Sequence, residues 1–157
     1  MVKMAFGAFI DVPIIVVAFI LTTFYRKQIS HAIRKIKLPA ILLSLLIAIP
    51  LIIFEEHINC GAYQCQPVIM PPTLPFLFIE VLILLVLVKI SHTKRVFAPA
   101  LLYFIFGVAW EFTVGVANKE LYALNLFYQL FFIFYIGVSY AIIVILPLTI
   151  LQVEDGK

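Results

Sequence analysis

Charge is scarce in this chain, and it is missing where the apolar runs are longest: ILLSLLIAIPLII, residues 41–53, carries none. Charged residues make up 12% of the 157 and hydrophobic ones 65%, against about 25% and about 45–50% in soluble domains. The mean hydropathy is +1.19. These values exclude an ordinary soluble domain and predict an all-α, polytopic bundle in the lipid bilayer. No Walker loop, dinucleotide fingerprint, nucleophile elbow, HExxH or CxxC pair occurs, so no familiar soluble chemistry has a motif to stand on. Cysteine is limited to Cys60 and Cys65, and tryptophan to Trp110.

What is present is five apolar stretches, at about 4–24, 38–54, 74–90, 96–117 and 124–151, each near the roughly 20 residues a helix needs to cross the hydrocarbon. The connections are too short for a soluble domain, so residues 1–157 read as one transmembrane helical domain. The first stretch reads as a span rather than a cleaved signal, because it is long, holds Asp11 and Pro13 and lacks a convincing cleavage site.

Acids are absent from the two most basic connections. YRKQISHAIRKIK carries Arg26, Lys27, Arg34, Lys35 and Lys37, and KISHTKR adds Lys89, Lys94 and Arg95. Positive charge in short loops marks the cytoplasmic side, which places the N-terminus outside and VEDGK inside a cell membrane. The net charge of +3 is thus a topology signal that can also meet anionic lipid heads; it calls for no nucleic acid. His31 and His92 fall in these connections and read as solvated.

The 55–73 segment then lies outside, where Cys60 and Cys65 are expected to form a disulfide closing a small loop. A redox pair competes with this reading but lacks the usual second pair, and zinc would have only His57 beside the two thiols. No cofactor or metal is specified.

The remaining acids share one depth. Asp11 lies on the first helix, Glu55 and Glu56 at the outer end of the second, Glu80 on the third and Glu111 on the fourth, while the fifth begins with Asn125, Tyr128 and Gln129. A carboxylate at membrane depth costs several kcal/mol unless it is neutral, paired or watered, and such groups face a bundle interior. No lysine or arginine within these spans can pair with them. Asp11, Glu55, Glu56, Glu80, Glu111, Tyr128 and Gln129, with His57 at the rim, are therefore the expected polar or cation-binding site. Tyr103, Gly107, Glu111 and Gly115 recur every four residues and predict that Glu111 faces protein; Tyr128, Tyr135 and Ser139 mark the inner side of the last helix. The Phe, Leu, Ile and Val majority is left to face lipid.

IPLIIFEEHINCG and FGVAWEFTVG form a faint internal echo, each joining an aromatic residue, an acid and a nearby glycine. The order of an aliphatic helix, a basic loop, IPLIIFEE, an outer loop and LPFLFIE resembles the repeating unit of membrane lycopene cyclases over about 35–90, and more weakly over 100–140. LPFLFIE has one acid where that pattern has two adjacent ones, and the later segment lacks its proline motif. The resemblance implies that Glu56, Glu80 and Glu111 are catalytic or carbocation-stabilising groups and that an apolar isoprenoid is the ligand. Such chemistry suits a desolvated carboxyl, which can keep a proton near neutral pH and deliver it to a polyene.

Without that resemblance, short loops and abundant phenylalanine favour a non-catalytic subunit of a larger membrane complex, in contact with lipid and other membrane subunits. Its acids would then support an interface, a cation or a proton path. An ion or proton transporter is the third reading.

Two outcomes test the topology and the thiols. A lone cysteine at Thr93 should react with an impermeant reagent only after cells are permeabilised; reaction in sealed cells overturns the orientation. The purified chain, alkylated without reduction, should have the mass of the Cys60–Cys65 disulfide, and two alkylated thiols would refute the pairing.

Overall fold

The computed structural model describes residues 2–63, 74–93, 95–115 and 118–153. Their secondary structure is entirely helical: α1 (Val2–Ile33), α2 (Ala40–Tyr63), α3 (Leu74–Ile90), α4 (Phe97–Thr113), the single short turn α5 (Asn118–Tyr122) and α6 (Leu126–Val153). Segments of α1, α2 and α6, namely Asp11–Ile33, Ala40–Ile58 and Leu126–Gln152, are long and apolar enough to cross a membrane. The helices α3 and α4 have 17 residues each. At 1.5 Å per residue that is about 25 Å, slightly less than the hydrocarbon thickness.

The bundle is built around α6. Every residue from Tyr135 to Leu151 is buried, as expected of a helix that is hydrophobic all round. Around it pack α1, α2 and α4, with α3 resting on α2 and touching α6. This corrects the expectation that the last helix has one inner and one lipid-facing side: from Tyr135 onward its own chain covers it on all sides. Large exposed apolar side chains lie on the first turns of α6, at Phe127, Leu130 and Phe134, and on the other helices, at Ile79, Ile83 and Leu87 of α3 and Leu101, Leu102 and Ile105 of α4. The buried residues of α3 are Leu77, Val81, Leu85 and Val88, and those of α4 are Pro99, Ala100, Tyr103 and Gly107; each set recurs at three- or four-residue intervals along one face.

Three boundaries differ from the sequence expectation. The basic stretch after residue 24 is not a loop: α1 runs on to Ile33, because Ile29 and Ile33 recur four residues apart and pack on Leu43, Leu146 and Ile150. Likewise α2 continues through FEEHINC to Tyr63, so Glu55 and Glu56 lie within a helix and not at its end. The fourth helix stops at Thr113, earlier than 117, where Val114 N and Gly115 N both donate to Trp110 O at 2.8 Å and close the last turn. Cys65, the side chain of Cys60 and the 64–73 segment lie outside the described residues, and the expected disulfide with them.

Proline interrupts the hydrogen-bond ladder of α1, α2 and α6 without ending any of these helices. At Pro147 the carbonyl accepts the hydroxyl of buried Ser44 on α2 at 2.8 Å, a polar link inside an apolar contact. The α3–α4 turn closes in a Schellman motif: Thr93 N donates to Val88 O, His92 N donates to Lys89 O, and His92 takes a left-handed φ of 49°. Gln152 Nε2 donates to Thr93 O at 3.0 Å, tying this turn to the end of α6. The α1–α2 connection reaches the same end through Leu43, Leu146 and Ile150. Both basic connections are thus at one end of the bundle. Arg26 adds a cation–π contact there, 4.7 Å from the Phe97 ring centroid.

Two substitutions test these devices by denaturant unfolding in micelles. Ser44→Ala should cost about 0.6–1.5 kcal/mol, the range for one buried hydrogen bond between membrane helices; no loss would show that the Pro147 carbonyl does not need the hydroxyl. His92→Gly should stabilise by up to about 1 kcal/mol by relieving the left-handed residue, and destabilisation would contradict that backbone geometry.

Candidate functional site

Two carboxylate–tyrosine pairs lie between the helices. Tyr103 Oη of α4 donates to Glu80 Oε2 of α3 at 3.1 Å. Tyr140 Oη of α6 donates to Glu111 Oε1 of α4, also at 3.1 Å. The two tyrosine rings meet at a centroid distance of 5.7 Å and 52°, which joins the pairs into one centre. Glu55 of α2 is the most buried acid, 2% exposed, and lies within electrostatic reach of both tyrosines. Glu56 is within reach of Glu111. Glu80 and Glu111 are thus bonded to two tyrosines from α4 and α6, with Glu55 of α2 near both rings.

Sequence spacing explains how α4 serves both pairs. Tyr103, Gly107 and Glu111 fall on successive turns of α4, and Gly115 lies just past its end. Glycine at 107 leaves room for the Tyr140 ring, and glycine at 115 leaves room for Glu111 Oε2. The hydroxyls supply the donors that no lysine or arginine of the spans can offer. One acceptor remains open: Glu80 Oε1 is buried with no hydrogen-bond partner among the described residues.

An aromatic row leads from this centre to the outer surface. Tyr103 stacks with Phe106 at 6.0 Å, Phe106 with Trp110 at 6.3 Å, and Trp110 lies 5.0 Å from Phe76 of α3. Phe76 and Phe106 are exposed. The main ties seen between α3 and α4 are side chains, the Tyr103–Glu80 bond and the Phe76–Trp110 contact, because each helix packs on other partners.

Other residues expected at the site do different work. Asp11 Oδ2 on α1 is buried without a hydrogen-bond partner among the described residues, and no bond joins it to the four glutamates. His57 Nδ1–H donates to Ile53 O at 2.7 Å, one turn back on its own helix. Gln129 Nε2 donates to Leu124 O and Tyr122 O, fastening the α5–α6 turn. Tyr128 is exposed, and its backbone N–H is capped by Asn125 Oδ1 at 3.1 Å, the N-cap bond of α6. Among the described residues, no three His, Cys, Asp or Glu side chains are placed to hold a metal ion.

Tyr140 is the member that sequence reasoning missed. Ser139 and Tyr135 were the residues chosen for the inner side of the last helix, but a helix buried all round has no preferred side, so Tyr140 is equally internal. A tyrosine amid YAIIVILP, where no interface calls for one, was the available signal.

Comparisons with protein families, with characterised proteins and with solved structures found no match. The site therefore rests on its own geometry.

Tyr103→Phe should destabilise by about 1–3 kcal/mol, because Glu80 then loses its donor while its Oε1 is already buried without one. Tyr103→Phe paired with Glu80→Leu should recover most of that loss, and an uncorrected double variant would mean the bond is incidental.

Proposed function

We propose that this chain is a five-span membrane protein, with both basic connections and the end of α6 on the cytoplasmic side, whose glutamate–tyrosine centre performs acid catalysis on an apolar isoprenoid or carotenoid-type polyene. The observation that supports the reading is that Glu80 and Glu111, two of the three positions implied by the lycopene cyclase resemblance, are bonded to Tyr103 and Tyr140, whose rings meet. The aromatic row beside them supports the same reading. Its π faces can stabilise a cation, and its exposed end meets the lipid from which such a substrate would arrive.

The chemistry balances without a cofactor. A carboxyl gives its proton to one double bond, a second double bond attacks the resulting cation and closes a ring, and loss of a proton to a carboxylate regenerates an alkene. Substrate and product have the same composition. The protein's part is to place the acid, exclude water and present aromatic faces where positive charge develops.

The competing accessory-subunit reading draws its strength from surfaces that need covering. The chain itself covers its central helix from Tyr135 to Leu151 and gives Glu80 Oε2 and Glu111 Oε1 donors from its own tyrosines, so neither of these features asks for a partner. A transporter would need a polar path to the other end of the bundle. There the packing of Ile29, Ile33, Leu43, Leu146 and Ile150 is apolar.

The test is expression in a polyene-accumulating host. Wild type should convert the polyene to a cyclic isomer, while Glu80→Gln and Glu111→Gln, folded to the same extent, should each lose about 10²-fold or more of that activity. A wild type that yields no cyclic product and purifies with stoichiometric membrane partners would establish the subunit reading instead.

A further inference from the structure

We infer that Gly107 is a positioning residue for Glu111, acting through the ring of Tyr140. The argument rests on contact distances. A β-carbon added at Gly107 would sit 2.1 Å from Tyr140 Cγ and 2.4 and 2.5 Å from its two Cδ atoms, so the ring lies directly on the bare α-carbon. No real side chain is compatible with that seat. Gly107 is one turn of α4 before Glu111, and a tyrosine ring seated there extends along the helix far enough for its hydroxyl to meet Glu111 Oε1 at 3.1 Å. Move the ring sideways by the width of a methyl group and the hydroxyl leaves the carboxylate.

Gly115 confines the other oxygen. A β-carbon there would lie 2.3 Å from Glu111 Oε2 and 2.7 Å from Glu111 Cα. Glu111 is thus held with one oxygen on Tyr140 and the other in the space above Gly115, each granted by a glycine four residues away. Glu80 has no such arrangement: its Oε1 is buried with no hydrogen-bond partner among the described residues. The glycines at 107 and 115 do more than bring helices together; they select one orientation of one acid.

This inference builds on the reading of Glu111 as a working acid in the bilayer, and its test does not use activity. The full chain in lipid nanodiscs is treated with dicyclohexylcarbodiimide, which modifies protonated carboxyls in apolar surroundings, and labelling at Glu111 and Glu80 is followed separately by peptide mass spectrometry across pH. Tyr140→Phe keeps the ring and removes the donor, and should speed labelling of Glu111 by about fivefold to tenfold, the worth of one hydrogen bond to a carboxylate. Gly107→Ala should speed it equally and leave Glu80 unchanged, and the double variant should show no further increase, since both changes break the same bond.

Unchanged labelling of Glu111 in Gly107→Ala, an equal change at Glu80, or additive effects in the double variant would each overturn the positioning role. If Gly107→Ala fails to fold, Gly107→Ala/Tyr140→Leu, which removes the ring that the new carbon meets, must restore folding, and failure to do so overturns the inference as well. A negative polyene assay alongside the expected labelling pattern would sink acid catalysis while leaving Gly107 in its role.

Discussion

The structure depends on one constraint: Glu80 and Glu111 lie in apolar helices and take their hydrogen bonds from tyrosine hydroxyls. From residue 74 to 88, and again from 96 to 118, the sequence has no lysine or arginine, yet it carries Glu80 and Glu111. Carboxylates left alone at that depth would cost several kcal/mol each. Neutral donors are what remain, and tyrosine is well suited, since its ring packs as a hydrophobe while its hydroxyl reaches across to the next helix. Tyr103 and Tyr140 therefore connect the helices that carry the acids, and their mutual ring contact links the two pairs.

The architecture follows from meeting that constraint with few polar groups. Membrane helices gain little hydrophobic drive by associating, so close packing and interhelical hydrogen bonds decide the arrangement. Gly107 lets Tyr140 lie on α4, and a β-carbon at Gly137 would fall 2.1 Å from the Phe104 ring, so each helix takes an aromatic ring of the other against a glycine. This reciprocal contact places α6 where α1, α2 and α4 can all reach it. Ser44 adds its bond to the Pro147 carbonyl on the α2 side. The polar centre and the packing of the central helix are thus one construction, and loosening either disturbs the other.

Much of this was legible in the sequence, for reasons that can be named. Long apolar runs located all five main helices, and the four-residue spacing of Tyr103, Gly107, Glu111 and Gly115 identified the inner face of α4. What could not be read was which partner each acid would meet, because Tyr140 lies 29 positions from Glu111 in a helix whose apolar surface is uniform. Of the other residues expected beside Glu80 and Glu111, Tyr128 and Gln129 serve the start of α6, and Asp11 Oδ2 is buried without a hydrogen-bond partner among the described residues. The basic stretch to Ile33 has the charge of a loop, and Ile29 and Ile33 recurring at helical spacing are its weaker, helical signal.

The central claim is that acids from separate helices converge on a single centre in the interior, and cysteine cross-linking in native membranes tests it most directly. In a chain with Cys60→Ser and Cys65→Ser, cysteines introduced at Glu56 and Glu111 should be joined by a short bifunctional thiol reagent, as should a pair at Glu80 and Tyr103, whereas a cysteine at exposed Ile105 should be joined to neither Glu56→Cys nor Glu80→Cys. Failure of both inner pairs to cross-link in a folded chain, or cross-linking no better than that of the Ile105 control, would contradict the account.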